Sequence, residues 1–237
     1  MTSLKNIRGF IFDFDGTIAR LTIDFADMRR RTLAHLESFG IVPDGLRDLY
    51  VLEMIAAGKR QIAEQYPGRE NAYEQEAMQL IKEIELAAAH EGSLFGGIRE
   101  MLLLLGKLNI KIGLVTRNCR AAVEHIFPDI ASFIAVVLTR DDTFPVKPDP
   151  DHLRKALQAF SLPASQTAMV GDHKMDMILA KEVGALAIGV LTGYNDAEEL
   201  KKAGADLVFP RAADLSAALS VYREENIRLT SGNGYAS

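Results

Sequence analysis

Apolar and polar positions along the chain fall into two rhythms. Six short runs, at 9–14, 111–116, 134–139, 167–171, 186–191 and 206–209, are rich in β-forming residues and mostly continuous rather than alternating. That is the pattern of strands buried on both faces of a parallel sheet. Between them, apolar residues recur at helical spacing: Ile98, Met101, Leu102, Leu105 and Leu108, then Ala122, Val123 and Ile126, then Leu153, Ala156, Leu157 and Phe160. Strand and helix alternate through 98–222, which predicts an α/β fold built on a doubly wound parallel sheet. Residues 21–92 follow a different rhythm. Phe25, Met28, Thr32, Leu36 and Phe39 trace one helical stripe closed by Gly40. Leu46, Leu49 and Tyr50 suggest a second helix after Asp44, and Ala77, Leu80, Ile81, Ile84 and Ala88 a third after Pro67-Gly68. A small α-helical domain at 21–92 is therefore expected inside a discontinuous core of 1–20 and 93–222. Gly92, Ser93, Gly96 and Gly97 at its return predict a hinge on which it moves as a cap. The polar end, 223–237, reads as a tail without catalytic role.

Composition narrows the class. A formal charge of -5 offers no broad cationic field for a nucleic-acid backbone. One Cys excludes an internal disulfide framework and a Cys-rich zinc site, and the five His residues have no metal-binding spacing. The apolar run 101–105 is far short of the ~18 residues that cross a bilayer. Asp13 interrupts the apolar run 10–14, so the N-terminus lacks the layout of a signal peptide. A cytoplasmic protein without membrane or nucleic-acid partners is expected, as monomer or homodimer.

In an open parallel sheet, ligands bind beyond the carboxyl ends of the strands. Asp13, Phe14, Asp15, Gly16 and Thr17 follow the first predicted strand, Thr116 ends the second, and Asp172 and Asp176 follow 167–171. Lys147 sits in a loop, Lys147-Pro148-Asp149-Pro150. Asp13 and Asp15 are two apart on extended chain, so both carboxylates are expected on one side. Four acids against one lysine imply a divalent cation, and oxygen-only donors favour Mg2+ over Zn2+. The same residue types suit phosphoryl transfer: a carboxylate nucleophile, a neighbouring acid to move a proton, and lysine, hydroxyl and backbone N–H groups for the phosphoryl oxygens.

Taken in order, Asp13-Phe14-Asp15-Gly16-Thr17, Thr116, Lys147 and Gly171-Asp172 with Asp176 resemble the four motifs of the haloacid dehalogenase-like hydrolase superfamily. The resemblance covers about residues 8–210 and implies a Rossmann-like core with a helical cap of that family's first type. It implies that Asp13 is the nucleophile and forms a phosphoaspartate, and that Asp15 is general acid and then base, with its backbone carbonyl on Mg2+. Thr116 would bind a phosphoryl oxygen and Lys147 would shield Asp13 and the phosphate. Asp172 would ligate the metal, together with Asp13, and Asp176 would ligate through water or orient. The acid at position 15 points to the phosphatase branch, because the dehalogenase branch lacks it. One departure concerns the second motif: many relatives have Asn directly after the hydroxyl, whereas here Arg117 intervenes before Asn118. Both count as candidate substrate- or phosphate-binding residues, with pairing to a surface acid as the other reading of Arg117.

The resulting expectation is a Mg2+-dependent phosphatase of small phosphorylated metabolites, similar to the phosphoglycolate phosphatase-like group. Arg20, Lys59 and Arg60 are candidates for a second substrate anion, the latter two on an exposed turn at Gly58-Lys59-Arg60. The nearest rival is a phosphomutase of the β-phosphoglucomutase type. Its cap offers a His soon after the first motif, and here the first His is His35. A nucleotidase or pyrophosphatase differs only in the cap. A phosphoacceptor receiver module or a binding protein without turnover are rivals of other classes.

Overall fold

The computed structural model describes residues 4–143 and 145–219; the segment read as a tail, 223–237, lies outside the described residues. The chain divides into two compact units, one made of the residues up to Leu21 together with those from Gly92 on, the other Thr22–Glu91. In the first unit a 3-10 helical turn at Leu4–Asn6 precedes β1 (Gly9–Phe12) and a two-residue strand β2 (Ala19–Arg20).

The second unit is three helices, α1 (Phe25–Ser38), α2 (Val51–Gln65) and α3 (Glu70–His90). Asp24 caps α1 by accepting the Asp27 N–H, and Gly40 just beyond its end has φ 86°. The second helix starts later than the stripe at Leu46, Leu49 and Tyr50 suggests. Pro43 and Gly45, at φ 76°, divert that segment into turns closed by Leu46 N–H to Pro43 O and Leu49 N–H to Leu46 O. Gly58-Lys59-Arg60 is not an exposed turn but lies inside α2. Glycine is needed there for packing: a Cβ on Gly58 would sit 2.7 Å from both Leu36 Cδ1 and Tyr73 Oη. Met28, Leu36, Met54, Ile55, Ile62, Tyr73, Ala77 and Ile81 give this unit a core of its own.

The first unit resumes with β3 (Ser93–Leu94), antiparallel to β2, and then alternates α4 (Ile98–Lys107), β4 (Lys111–Val115), α5 (Arg120–Ile126), β5 (Val136–Leu138), α6 (Pro150–Phe160), β6 (Thr167–Gly171), α7 (Lys174–Val183), β7 (Leu186–Val190), α8 (Ala197–Lys202) and β8 (Leu207–Phe209). The six long strands form one parallel sheet in the order β5-β4-β1-β6-β7-β8. Side chains alternate across it. Phe10, Phe12, Leu114, Val170 and Ile188 pack with Ile98, Met101, Leu102 and Leu105 on one face. Ile11, Val115, Met169 and Ala187 pack with Leu153, Phe160, Met177 and Leu179 on the other. Each such fully buried large side chain contributes about 1.5–3 kcal/mol. The doubly wound α/β reading holds; β1 stops short of its apolar run, ending at Phe12, and the chain goes on beyond Asp13 into a turn at Gly16.

β1 is flanked by β4 on one side and β6 on the other, and the chain visits the β4 side first and crosses back afterwards. The carboxyl end of β1 is thus a switch point, where diverging connections open a crevice. Among the described residues, no helix is long and apolar enough to cross a membrane.

Candidate active site

Asp13 directly follows β1, and its N–H donates to Val170 O at 2.9 Å, so the ladder fixes its backbone. Its Oδ1 lies 2.7 Å from Lys147 Nζ, and the same ammonium donates to Asp176 Oδ1 at 2.8 Å. The Lys147 and Asp176 side chains are nearly inaccessible, whereas that of Asp13 keeps 12% exposure. Carboxylate oxygens of Asp13, Asp172 and Asp176 lie within 4.8 Å of one another.

Asp15 enters a tight turn. Gly16 has φ 74°, its N–H donates to Ala19 O at 2.8 Å, and the N–H groups of Ile18 and Ala19 donate to Phe14 O at 3.0 and 2.9 Å. That turn carries Leu21 back, and its N–H donates to Asp15 Oδ1 at 3.2 Å. Asp15's carboxylate is therefore held by the backbone beside the three-acid cluster, close enough for Asp13 and Asp172 to act on it electrostatically.

Asp172 ends the segment before α7, and the next residue, His173, caps that helix, its Nδ1 accepting the Met175 N–H. Both Asp172 oxygens are held elsewhere: Oδ2 accepts Tyr194 N–H at 2.7 Å and Oδ1 accepts from Thr17 Oγ1 at 3.3 Å. The loop after β7 is folded against it. Thr192 Oγ1 donates to Gly16 O at 2.6 Å, and Asn195 N–H donates to Asp172 O at 3.2 Å. A Cβ on Gly193 would lie 2.0 Å from Asp172 Oδ2, so only glycine lets that backbone close over the carboxylate.

Thr116 is buried; its N–H donates to Leu138 O at 3.0 Å and its Oγ1 accepts the Asn118 N–H at 3.1 Å. The hydroxyl proton remains available to a ligand. Asn118 is buried with its Oδ1 unpartnered. Arg117 donates to the backbone carbonyl of Lys147, a role that neither sequence reading gave it. Arg140 N–H and Nη1 donate in turn to Asn118 O and Arg117 O.

The electrostatics follow from burying acids together. Burial, opposed by Lys147 and reinforced by Asp176, raises Asp13 to about 6. Burial, then Asp13 and Asp172, raises Asp15 to about 7. Burial and Asp13 raise Asp172 to about 6, and burial lifts Asp176 despite Lys147. Burial works against the Lys147 ammonium, yet Asp13 and Asp176 hold its pKa above the ordinary lysine value. An oxygen-only donor set with surplus negative charge fits a hard divalent cation such as Mg2+.

Sequence reasoning named Thr17 without giving it a role, and missed the loop 192–195 and His152. The available signal was that 186–191 is also a strand of the parallel sheet, so the residues after it belong at the same edge.

The family model described as haloacid dehalogenase-like hydrolase matches residues 10–190. Among curated proteins, a phosphoglycolate phosphatase of Yersinia pseudotuberculosis is 29% identical over 229 residues, covering 93% of this chain and 97% of that one. A phosphoglycolate phosphatase of Escherichia coli is 27% identical over 246 residues, covering 95% and 98%. Among solved structures, a hydrolase from Pseudomonas syringae superposes with a TM-score of 0.64 at 24% identity, covering 90% of this chain and 98% of that one.

Proposed function

The chain belongs to the haloacid dehalogenase-like hydrolase family, and from that membership we propose that it is a Mg2+-dependent phosphatase of small phosphomonoesters. The observation that carries this reading is the Asp13 carboxylate, 2.7 Å from Lys147 Nζ at the carboxyl end of the central strand and clustered with Asp172 and Asp176.

In the reaction proposed, an Asp13 oxygen attacks phosphorus and the ester P–O bond breaks, leaving an acyl phosphate on Asp13. Asp15 gives its proton to the departing oxygen. Its raised pKa suits this, because it holds a proton near neutrality yet becomes a base once that proton is gone. Asp15 then takes a proton from water, the water oxygen attacks phosphorus, and Asp13 is released with inorganic phosphate. Lys147 offsets charge on Asp13 and on the phosphoryl oxygens, and Thr116 donates to one of them. Asp13 and Asp172, with the Asp15 carbonyl, would hold Mg2+, Asp176 acting through water or as an orienting group. The ion supplies neutralisation of the carboxylates and the phosphoryl group when bound.

The substrate class proposed is a phosphomonoester with a second anion, such as phosphoglycolate. Its support is the named activity of the curated relatives. Of the candidate anion partners, Lys59 is paired with Glu74 at 2.5 Å, whereas Arg20 lies over the Phe95 ring at 5.4 Å and is exposed. A phosphate-release panel covering phosphoglycolate, hexose phosphates, nucleotides and pyrophosphate tests the reading. Release from phosphomonoesters with Mg2+, lost in EDTA, is expected. Conversion of one sugar phosphate to its isomer without free phosphate would instead make the protein a mutase, and no turnover of any member would reject the enzymatic reading.

Gly193→Ala offers a check on the metal site alone. The added methyl has to displace Asp172 or the loop. The expected outcome is a folded protein whose apparent Mg2+ affinity, read by titrating activity, falls about tenfold or more.

A further inference from the structure

Lys147 lies in a turn, closed by Asp149 N–H to Val146 O at 3.0 Å, and no strand or helix ladder holds its own peptide groups. Side chains hold them instead. Its N–H donates to His152 Nδ1 at 3.1 Å, and its carbonyl accepts from Arg117. His152 sits in the first turn of α6 and is fully buried. Its other nitrogen, Nε2, lies 3.2 Å from Leu138 O.

These contacts fix the tautomer. An Nδ1 that accepts leaves the proton on Nε2, which donates to Leu138 O. Burial and the nearby Lys147 keep the ring neutral. Leu138 O is also the acceptor of Thr116 N–H at 3.0 Å. One carbonyl at the end of β5 thus anchors the hydroxyl-bearing Thr116 directly and the lysine-bearing turn through a single imidazole.

We propose that His152 is a positioning residue for Lys147, the imidazole setting the lysine backbone in register with Thr116 so that Nζ bridges Asp13 and Asp176. The phosphatase reading above underlies the kinetic consequence; the anchoring itself does not depend on it. Imidazole suits the task because it is rigid and carries an acceptor and a donor at opposite ends of one ring. Asparagine places Oδ1 near the position of Nδ1 and keeps the acceptor for Lys147 N–H. Glutamine carries its amide further out, toward Leu138 O, and gives up that acceptor.

The test compares His152→Asn, His152→Gln and His152→Leu in the full chain with Mg2+ and p-nitrophenyl phosphate. His152→Leu and His152→Gln are expected to lose kcat by about tenfold to a hundredfold through misplacement of Lys147, with His152→Asn within about threefold of the parent. Both amides bury similar polarity, so a merely structural histidine would not separate them. Equal kcat for Asn and Gln variants, in an active parent, overturns the proposal. Nitrogen NMR of the unaltered protein supplies a reading that no folding defect can obscure. An unprotonated Nδ1 and protonated Nε2 are expected for His152 throughout the active pH range, and the opposite tautomer overturns the proposal. A parent that releases no phosphate defeats the functional reading alone, and the tautomer then decides the anchoring.

Discussion

Asp13→Asn should abolish turnover while leaving the protein folded. The amide matches the carboxylate in shape and can still accept from Lys147, but it is no nucleophile toward phosphorus. A fall in kcat of at least about a thousandfold is expected, on the order of 4 kcal/mol of transition-state stabilisation. Phosphate release under saturating substrate and Mg2+ measures it, and intact mass should find no phosphoryl adduct on the variant. Turnover at the parental rate would place the nucleophile on another residue and remove the basis of the mechanism.

Asp15→Asn should separate the two halves of the reaction. General acid–base groups contribute about 10²–10⁴ in rate. A nitrophenolate leaves without needing a proton, so Asp13 should still be phosphorylated by the aryl ester, whereas water should attack the acyl phosphate slowly. A covalent phosphoenzyme is therefore expected to accumulate, visible by mass, as overall turnover falls. The same change should stabilise the metal-free protein. Asp15 has a pKa of about 7 in the folded chain against an ordinary 3.8, so the folded state binds its proton more tightly than the unfolded state does. Its favourable contribution is complete below about 4 and lost as pH rises through about 7, a difference on the order of 4 kcal/mol. In EDTA, the Tm of the parent should fall between pH 5 and pH 8, and Asp15→Asn should flatten that fall. An identical pH dependence in both proteins would mean that Asp15 titrates normally.

The sequence carried the fold well where periodicity and burial agree. Continuous apolar runs at β1, β4, β6 and β7 became strands buried on both faces, because helices cover both sides of a parallel sheet. It carried the helical unit less well. Leu46 and Leu49 have helical spacing, but spacing alone does not register that Gly45 adopts a positive φ. Gly58 looks like a breaker, yet the tight crossing against Leu36 and Tyr73 requires the absence of a side chain. In the candidate site, Asp13, Asp172 and Asp176 were legible as acids following strands, and Lys147 as a lysine in a loop before one of them. Tyr194 and Lys147 also act through their peptide groups, and a peptide group has no letter in a sequence. For the same reason, Arg117 and His152 could not be read as holding the lysine turn, since they hold it by its backbone N–H and carbonyl.

The pairing of Arg20 with Ser93 has an evolutionary corollary. Departure and return of the inserted helices pass through one antiparallel rung, so the ends of the insertion are already joined within the catalytic core. The closure entropy of a long insertion grows only slowly with its length. Grafting a longer, shorter or unrelated segment between these two residues need not disturb the register of β1. Selection can exchange that segment while the sheet and the residues at its carboxyl edge are inherited unchanged.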